Sequence, residues 1–142
     1  MLHFRNVNAD PSDHVTTWPF EALVTAINRG LIPDWQPIFA EIRRAPWGKV
    51  ARNIERYLDD SNRDSSTVLF QLAIERAREA ADATEKAEVA DRVRKAITHS
   101  GLTSAQFANE VGTSASRLST YATGSVTPSA SMLIRIERSC GG

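Results

Sequence analysis

Between Gly101 and Pro128 the chain carries only two charges, Glu110 and Arg117, and serine and threonine fill most of the other polar positions. Hydroxyls and one guanidinium donate and accept hydrogen bonds, which is the chemistry of non-covalent recognition. Covalent or metal chemistry has no comparable starting point. His3 and His14 have no cysteine or histidine partner at ligand spacing, so exposed or packing roles are expected for them and no metal. His99 falls near a helix C-terminus, where its charged form favours the dipole. Cys140 is the single cysteine and sits in a Ser-Cys-Gly-Gly tail, which excludes an intrachain disulfide and reads as a bystander thiol. There is no glycine-rich phosphate loop and no Ser/His/Asp or Cys/His arrangement, so no catalytic residue and no cofactor are assigned and the chain is not read as an enzyme.

The stretch around Arg117 must be held by short helices. Thr103 can cap a helix running to Val111, with Phe107, Ala108 and Val111 facing inward. Gly112 supplies a turn at positive φ, where a Cβ is costly. Ser114 can cap the next helix, Ala115 to Ala122, whose inward residues are Leu118 and Tyr121. Gly124 ends it, and Pro128-Ser129 opens a last helix that buries Met132, Leu133 and Ile136. Two helices crossing steeply over a short turn need a small side chain on the first and an apolar wedge on the second. Ala108, Gly112 and Leu118 stand at that spacing.

With those residues in place, residues 89 to 138, about a third of the chain, resemble the Xre/Cro-CI family of helix-turn-helix repressors. The resemblance runs through Gly101-Leu102-Thr103, Phe107-Ala108, Gly112, Ser114, Leu118-Ser119, Tyr121, Gly124, Pro128-Ser129, Leu133 and Ile136. It implies that the helix from Ala115 lies in the major groove of double-stranded DNA, with Ala115, Ser116, Arg117 and Thr120 approaching bases and phosphates. Arginine can bond a guanine edge bidentately or pair with phosphate, which puts Arg117 first among them. Ser104, the helix-capping Ser114, and Ser125 and Thr127 in the following loop are implied as phosphate-side contacts. Ser104 and Ala115 stand where many members carry glutamine or another long polar side chain, and Ala122 replaces a common acidic residue. The fifth helix usual in the family is missing, which moves the expected dimerisation to the N-terminal part.

Upstream, residues 1 to 16 lack periodicity and read as a lead-in, partly docked through Leu2, Phe4 and Val7. A helix is predicted from Thr17 or Trp18, with Phe20, Leu23, Val24 and Ile27 on its inner face and Gly30 turning left-handed at its end. A second is predicted from Asp34 with Pro37 in its first turn, stopped at Pro46. A third follows from Trp47-Gly48, with Trp47, Val50, Ala51, Ile54 and Leu58 on one face and a polar break at Asp59 to Asn62. The three tryptophans, Trp18, Trp35 and Trp47, all open helices and are read as packing residues.

From Ser65 to Ser100 there is neither proline nor glycine. Val68, Leu69, Phe70, Leu72, Ala73 and Ile74 wrap most of the way round a helix, so they need cover on more than one side, from the bundle or from a second copy. Asp82-Ala-Thr-Glu85 fits a capping box that would start a new helix, while one long helix running through is the alternative.

The fold expected is therefore all-α: a lead-in over 1–16, a small helical bundle over 17–82, and a lambda-repressor-like helix-turn-helix domain over 83–142. Formal net charge is zero, which argues against general nucleic-acid coating; ten Lys/Arg face twelve Asp/Glu through Ala83, and seven face five after it. No run reaches the length of a membrane span, and the N-terminus lacks a signal-peptide pattern, so a cytoplasmic protein is expected. The function expected is a sequence-specific DNA-binding regulator, a repressor acting as a homodimer on a palindromic operator. Such proteins also occur as antitoxins, whose other domain masks a toxin, and the sequence leaves that choice open. The alternative is an adaptor that binds a protein partner through the bundle without touching DNA.

Overall fold

The computed structural model describes residue 4, residues 9–60 and residues 64–139. Among these the regular structure is entirely helical. A 3-10 turn at Val15–Thr17 precedes α1 (Phe20–Arg29), α2 (Ile32–Arg44), α3 (Lys49–Asp60), α4 (Ser65–Ser100), α5 (Ser104–Val111), α6 (Ala115–Thr123) and α7 (Ala130–Ser139). The chain divides into two compact units, Met1–Ala81 and Asp82–Gly142, each with its own core. The roles expected of Leu2, His3, Val7 and Cys140, and the Ser61-Asn62 part of the polar break, fall outside the described residues.

In the first unit Trp18, Leu23, Ile27, Ile38, Ile42, Ile54 and Phe70 are buried together. The buried Trp18 and half-buried Trp35 both place their indole N–H on backbone: Trp18 Nε1 donates to the Asp13 carbonyl at 3.1 Å, and Trp35 Nε1 to the Ala26 carbonyl at 2.8 Å. Phe4 packs its ring against Trp18, with centroids 4.9 Å apart in a T-shaped arrangement. Trp47 departs from the expected pattern. It is 51% exposed rather than on the inner face, and the Arg78 guanidinium lies 5.9 Å from its ring centroid. Arg78 is itself fixed by two hydrogen bonds to Glu55 and one to the Pro46 carbonyl, so the indole covers a polar junction.

Helix boundaries differ from the sequence reading where prolines compete. α1 starts at Phe20 rather than at Thr17 or Trp18: the Thr17 hydroxyl donates back to the His14 carbonyl at 2.7 Å, and Pro19 takes the N-cap position. Gly30 is not left-handed, with φ −74°. It is required instead by a close approach, since a Cβ there would stand 2.4 Å from the Ala26 carbonyl oxygen. α2 starts at Ile32, so Pro33 rather than Pro37 occupies the first turn and Pro37 lies inside the helix. The Asp34 carboxylate reaches back to accept from the Leu31 N–H at 2.7 Å, which anchors that earlier start.

α4 buries one side of its apolar patch in this unit: Phe70 and Ile74 are buried, and Phe70 stacks on Phe39 at 4.8 Å with Trp35 edge-on at 5.5 Å. On the opposite side Val68, Leu69 and Leu72 remain exposed. The helix continues through Asp82, which forms an ion pair with Lys86 at 2.9 Å instead of capping a new helix. In the second unit Val93 and Ala96 from α4 pack with Phe107, Ala108, Val111, Leu118, Tyr121 and Ile136.

Candidate nucleic-acid interface

The second unit places α6 by closing every nearby helix end. Thr103 Oγ1 accepts from the Gln106 N–H at 3.2 Å while Gln106 Oε1 accepts from the Thr103 N–H at 3.0 Å, a reciprocal cap that fixes the start of α5. Gly112 ends α5 in the left-handed conformation, φ 78°, and the Thr113 N–H returns to the Ala108 carbonyl at 2.9 Å. Ala108, Gly112 and Leu118 thus take the positions their spacing predicted. Ser114 Oγ then accepts from the Arg117 N–H at 3.1 Å and starts α6. Ser129 Oγ accepts from the Met132 N–H at 3.1 Å at the start of α7.

Two arginines that the sequence reading left unassigned finish the frame. Arg94 Nη1 donates to the Ala122 carbonyl at 2.6 Å near the end of α6, and Arg135 Nη1 to the Val111 carbonyl at 3.3 Å at the end of α5. Cations at helix C-termini satisfy orphan carbonyls and oppose the dipole's negative end.

The side chain of α6 that points outward with charge is Arg117. An open concavity of about 840 Å³ runs along this flank, lined by Asn109, Gly112, Thr113, Ser114, Ser116, Arg117, Thr120 and Val126. It brings together four of the residues singled out from the sequence: Ser114, Ser116, Arg117 and Thr120. Ser104, Ala115, Ser125 and Thr127 are exposed but do not line it. Ser125 and Thr123 hydroxyls lie 3.2 Å apart just past the helix, and Thr120 Oγ1 donates to the Arg117 carbonyl at 2.6 Å. Asn109, Thr113 and Val126 were missed, because a sequence pattern reports helix faces and not which residues border a shared hollow.

Charge pairing separates Arg117, and the exposed Arg138 on α7, from the other cations of this unit. Lys86 holds Asp82; Arg92 holds Glu137 at 3.1 and 2.5 Å; Lys95 holds Asp91 at 2.8 Å; Arg94 and Arg135 hold the carbonyls above. The hydrogen bond from Lys95 keeps the Asp91 carboxyl below its usual range. Among the described residues the Arg117 guanidinium makes no such bond, and none of the residues lining its concavity is a carboxylate. An arginine with its five donors uncommitted beside hydroxyls, an amide and a helix N-terminus can bind an anionic or acceptor-rich surface.

No helix of the described residues is long and apolar enough to cross a membrane. No group of three or more His, Cys, Asp or Glu among them is placed to hold a metal. No curated protein and no solved structure matches the chain. Residues 93–142 do match a family model described as helix-turn-helix, the Xre and lambda-CI type. That family is a DNA-binding regulatory one and not an enzyme family. The C-terminal third of the chain is therefore a helix-turn-helix domain of the kind that DNA-binding transcriptional regulators carry.

Proposed function

We propose that the protein is a repressor that binds a palindromic operator in double-stranded DNA as a homodimer. The observation that carries this reading is the uncommitted Arg117 guanidinium on the outward flank of α6, in a hollow without carboxylates, while Arg92, Arg94 and Arg135 are engaged by the fold. In this reading α6 enters the major groove, where Ala115, Ser116, Arg117 and Thr120 meet bases and phosphates. Ser104, Ser114, Ser125 and Thr127 meet phosphates, as short hydroxyl side chains and helix N-termini do elsewhere. The test is a gel-shift titration of the full chain on the DNA upstream of its own gene. Sequence-selective retardation that Arg117→Ala weakens supports the reading; no retardation, or equal retardation by both proteins, overturns it.

One charged side chain per reading helix gives little phosphate neutralisation, so a single copy should bind weakly and two linked copies far better. The exposed apolar residues of the first unit, Val68, Leu69 and Leu72 on α4 and Leu31 and Ile32 at the start of α2, favour a protein contact there. A second copy is the contact proposed. The same residues also favour the second reading, an antitoxin whose first unit masks a toxin. Co-purification of the full chain with the product of an adjacent gene encoding a small toxic enzyme would support that version.

A further inference from the structure

α6 is lightly held by apolar packing. Two of its nine residues, Leu118 and Tyr121, are buried, against three of eight in α5. A helix held by two side chains on one face can still tilt about them, so the aim of its outward residues depends on how its ends are fixed. The first end has the Ser114 cap. At the last turn the Thr120 carbonyl accepts from the Val126 N–H at 3.2 Å and from the Ser125 hydroxyl at 3.4 Å, bonds to the following turn that travel with the helix. The Ala122 carbonyl is different: its donor is Arg94 Nη1, at 2.6 Å, on α4. One turn before Arg94 on α4 stands the buried Ala90, and a Cβ on Gly124 would lie 3.4 Å from its methyl. Close contact at Gly124 and a charge-assisted bond at Ala122 thus tie the same end of α6 to the same stretch of α4.

We propose that Arg94 is a positioning residue of the DNA interface: through the Ala122 carbonyl it sets the tilt of α6, and so governs discrimination between sequences and not general affinity. Its second nitrogen, Nη2, lies 3.6 Å from the Asp91 carboxylate, so the guanidinium is turned toward the fold on both sides. The two kinds of contact differ in tolerance. Base contacts need their side chains placed to within about 0.5 Å, whereas phosphate contacts hold the protein on any sequence. A loosened α6 therefore loses the cognate advantage first. This inference rests on the DNA-binding reading above, and the anchor itself is measurable in the free protein.

The experiment measures amide hydrogen exchange of the free full-length protein by NMR. It then selects duplexes from a random pool and measures binding to the selected duplex and to a shuffled one by fluorescence anisotropy over a salt series. Wild type is compared with Arg94→Met, which keeps the stem and removes the donors, and with Arg94→Lys, which keeps a charged donor. Lys86→Met is the control, since it removes a cation of α4 whose ion pair is with Asp82 on the same helix. In Arg94→Met the amides of Tyr121 to Thr123 are expected to exchange about tenfold faster while those of α5 hold their rates. The selected duplex is expected to bind about tenfold more weakly, with the shuffled one and the salt slope unchanged. Arg94→Lys restores both, and Lys86→Met matches wild type in both. Unchanged exchange in α6, or acceleration spread equally over α5 and α7, overturns the proposal. Equal loss on both duplexes with a smaller salt slope also overturns it, by assigning Arg94 to phosphate, and leaves the DNA-binding reading standing. A wild-type protein that selects no sequence overturns the DNA-binding reading and, with it, the role of Arg94 in discrimination.

Discussion

Among the described residues Arg117 differs from Arg92, Arg94 and Arg135 in making no hydrogen bond or ion pair through its guanidinium. Arg92, Arg94 and Arg135 are each spent on a carboxylate or a helix-end carbonyl, which makes them parts of the scaffold that presents α6. Other single residues are just as specialised. Glu41 is buried, and two hydrogen bonds from Arg44, at 2.7 and 2.6 Å, hold its carboxyl below the usual range. Glu55 is lowered in the same way by Arg78. A carboxyl with a depressed folded pKa stabilises the native state above its unfolded pKa and loses that contribution as pH falls through the folded value. Stability should therefore begin to drop near the ordinary carboxylate range, at about pH 4.5, and continue below it. Glu41→Gln should lower Tm at pH 7 and show a smaller further loss on acidification than wild type; parallel melting-versus-pH curves would count against the pairing. Gly30→Ala should cost about 1–3 kcal/mol in denaturant unfolding, because its Cβ would meet the Ala26 carbonyl. That need was invisible in the sequence, where Gly30 and Gly112 look alike. Only Gly112 takes the left-handed turn, and the reason for Gly30 is a contact four residues back that no local pattern reports.

At the scale of elements, α5, α6 and α7 were legible because their caps and left-handed glycines are local signals, each a named residue at a helix end. α1, α2 and α3 were legible as helices but not at their starts, since Pro19, Pro33 and Pro37 offer competing first turns and tertiary packing chooses among them. α4 was ambiguous for a different reason. Its apolar residues surround the helix, and a sequence cannot say which arc the bundle covers. In the structure Phe70 and Ile74 go inward and Val68, Leu69 and Leu72 stay out, 39–50% exposed. If that outer arc pairs two copies, Leu69→Glu with Leu72→Glu should convert a dimer to a monomer in light scattering. Far-UV helicity and Tm should be almost unchanged, as neither side chain belongs to the buried core. A double variant that still dimerises would move the pairing surface elsewhere, with the exposed Leu31-Ile32 pair as the next place to look.

Over the whole molecule the formal net charge is zero, so no broad positive field is available to hold DNA. In the proposed dimer, affinity comes from a few well-placed contacts used twice. The helix-turn-helix architecture is specified by Ala108, Gly112, Leu118 and Tyr121, while the charge that α6 offers to the proposed DNA contact is Arg117. The measurement that bears hardest on this is the salt dependence of binding to the upstream DNA, wild type against Arg117→Ala, with both proteins at the same oligomeric state. Each guanidinium that neutralises a phosphate or lies against the duplex adds to the slope of log K against log salt. A dimer using Arg117 in both copies should lose about two from that slope in the variant, with weaker binding at every salt concentration. Identical slopes and affinities for the two proteins would show that Arg117 does not meet DNA.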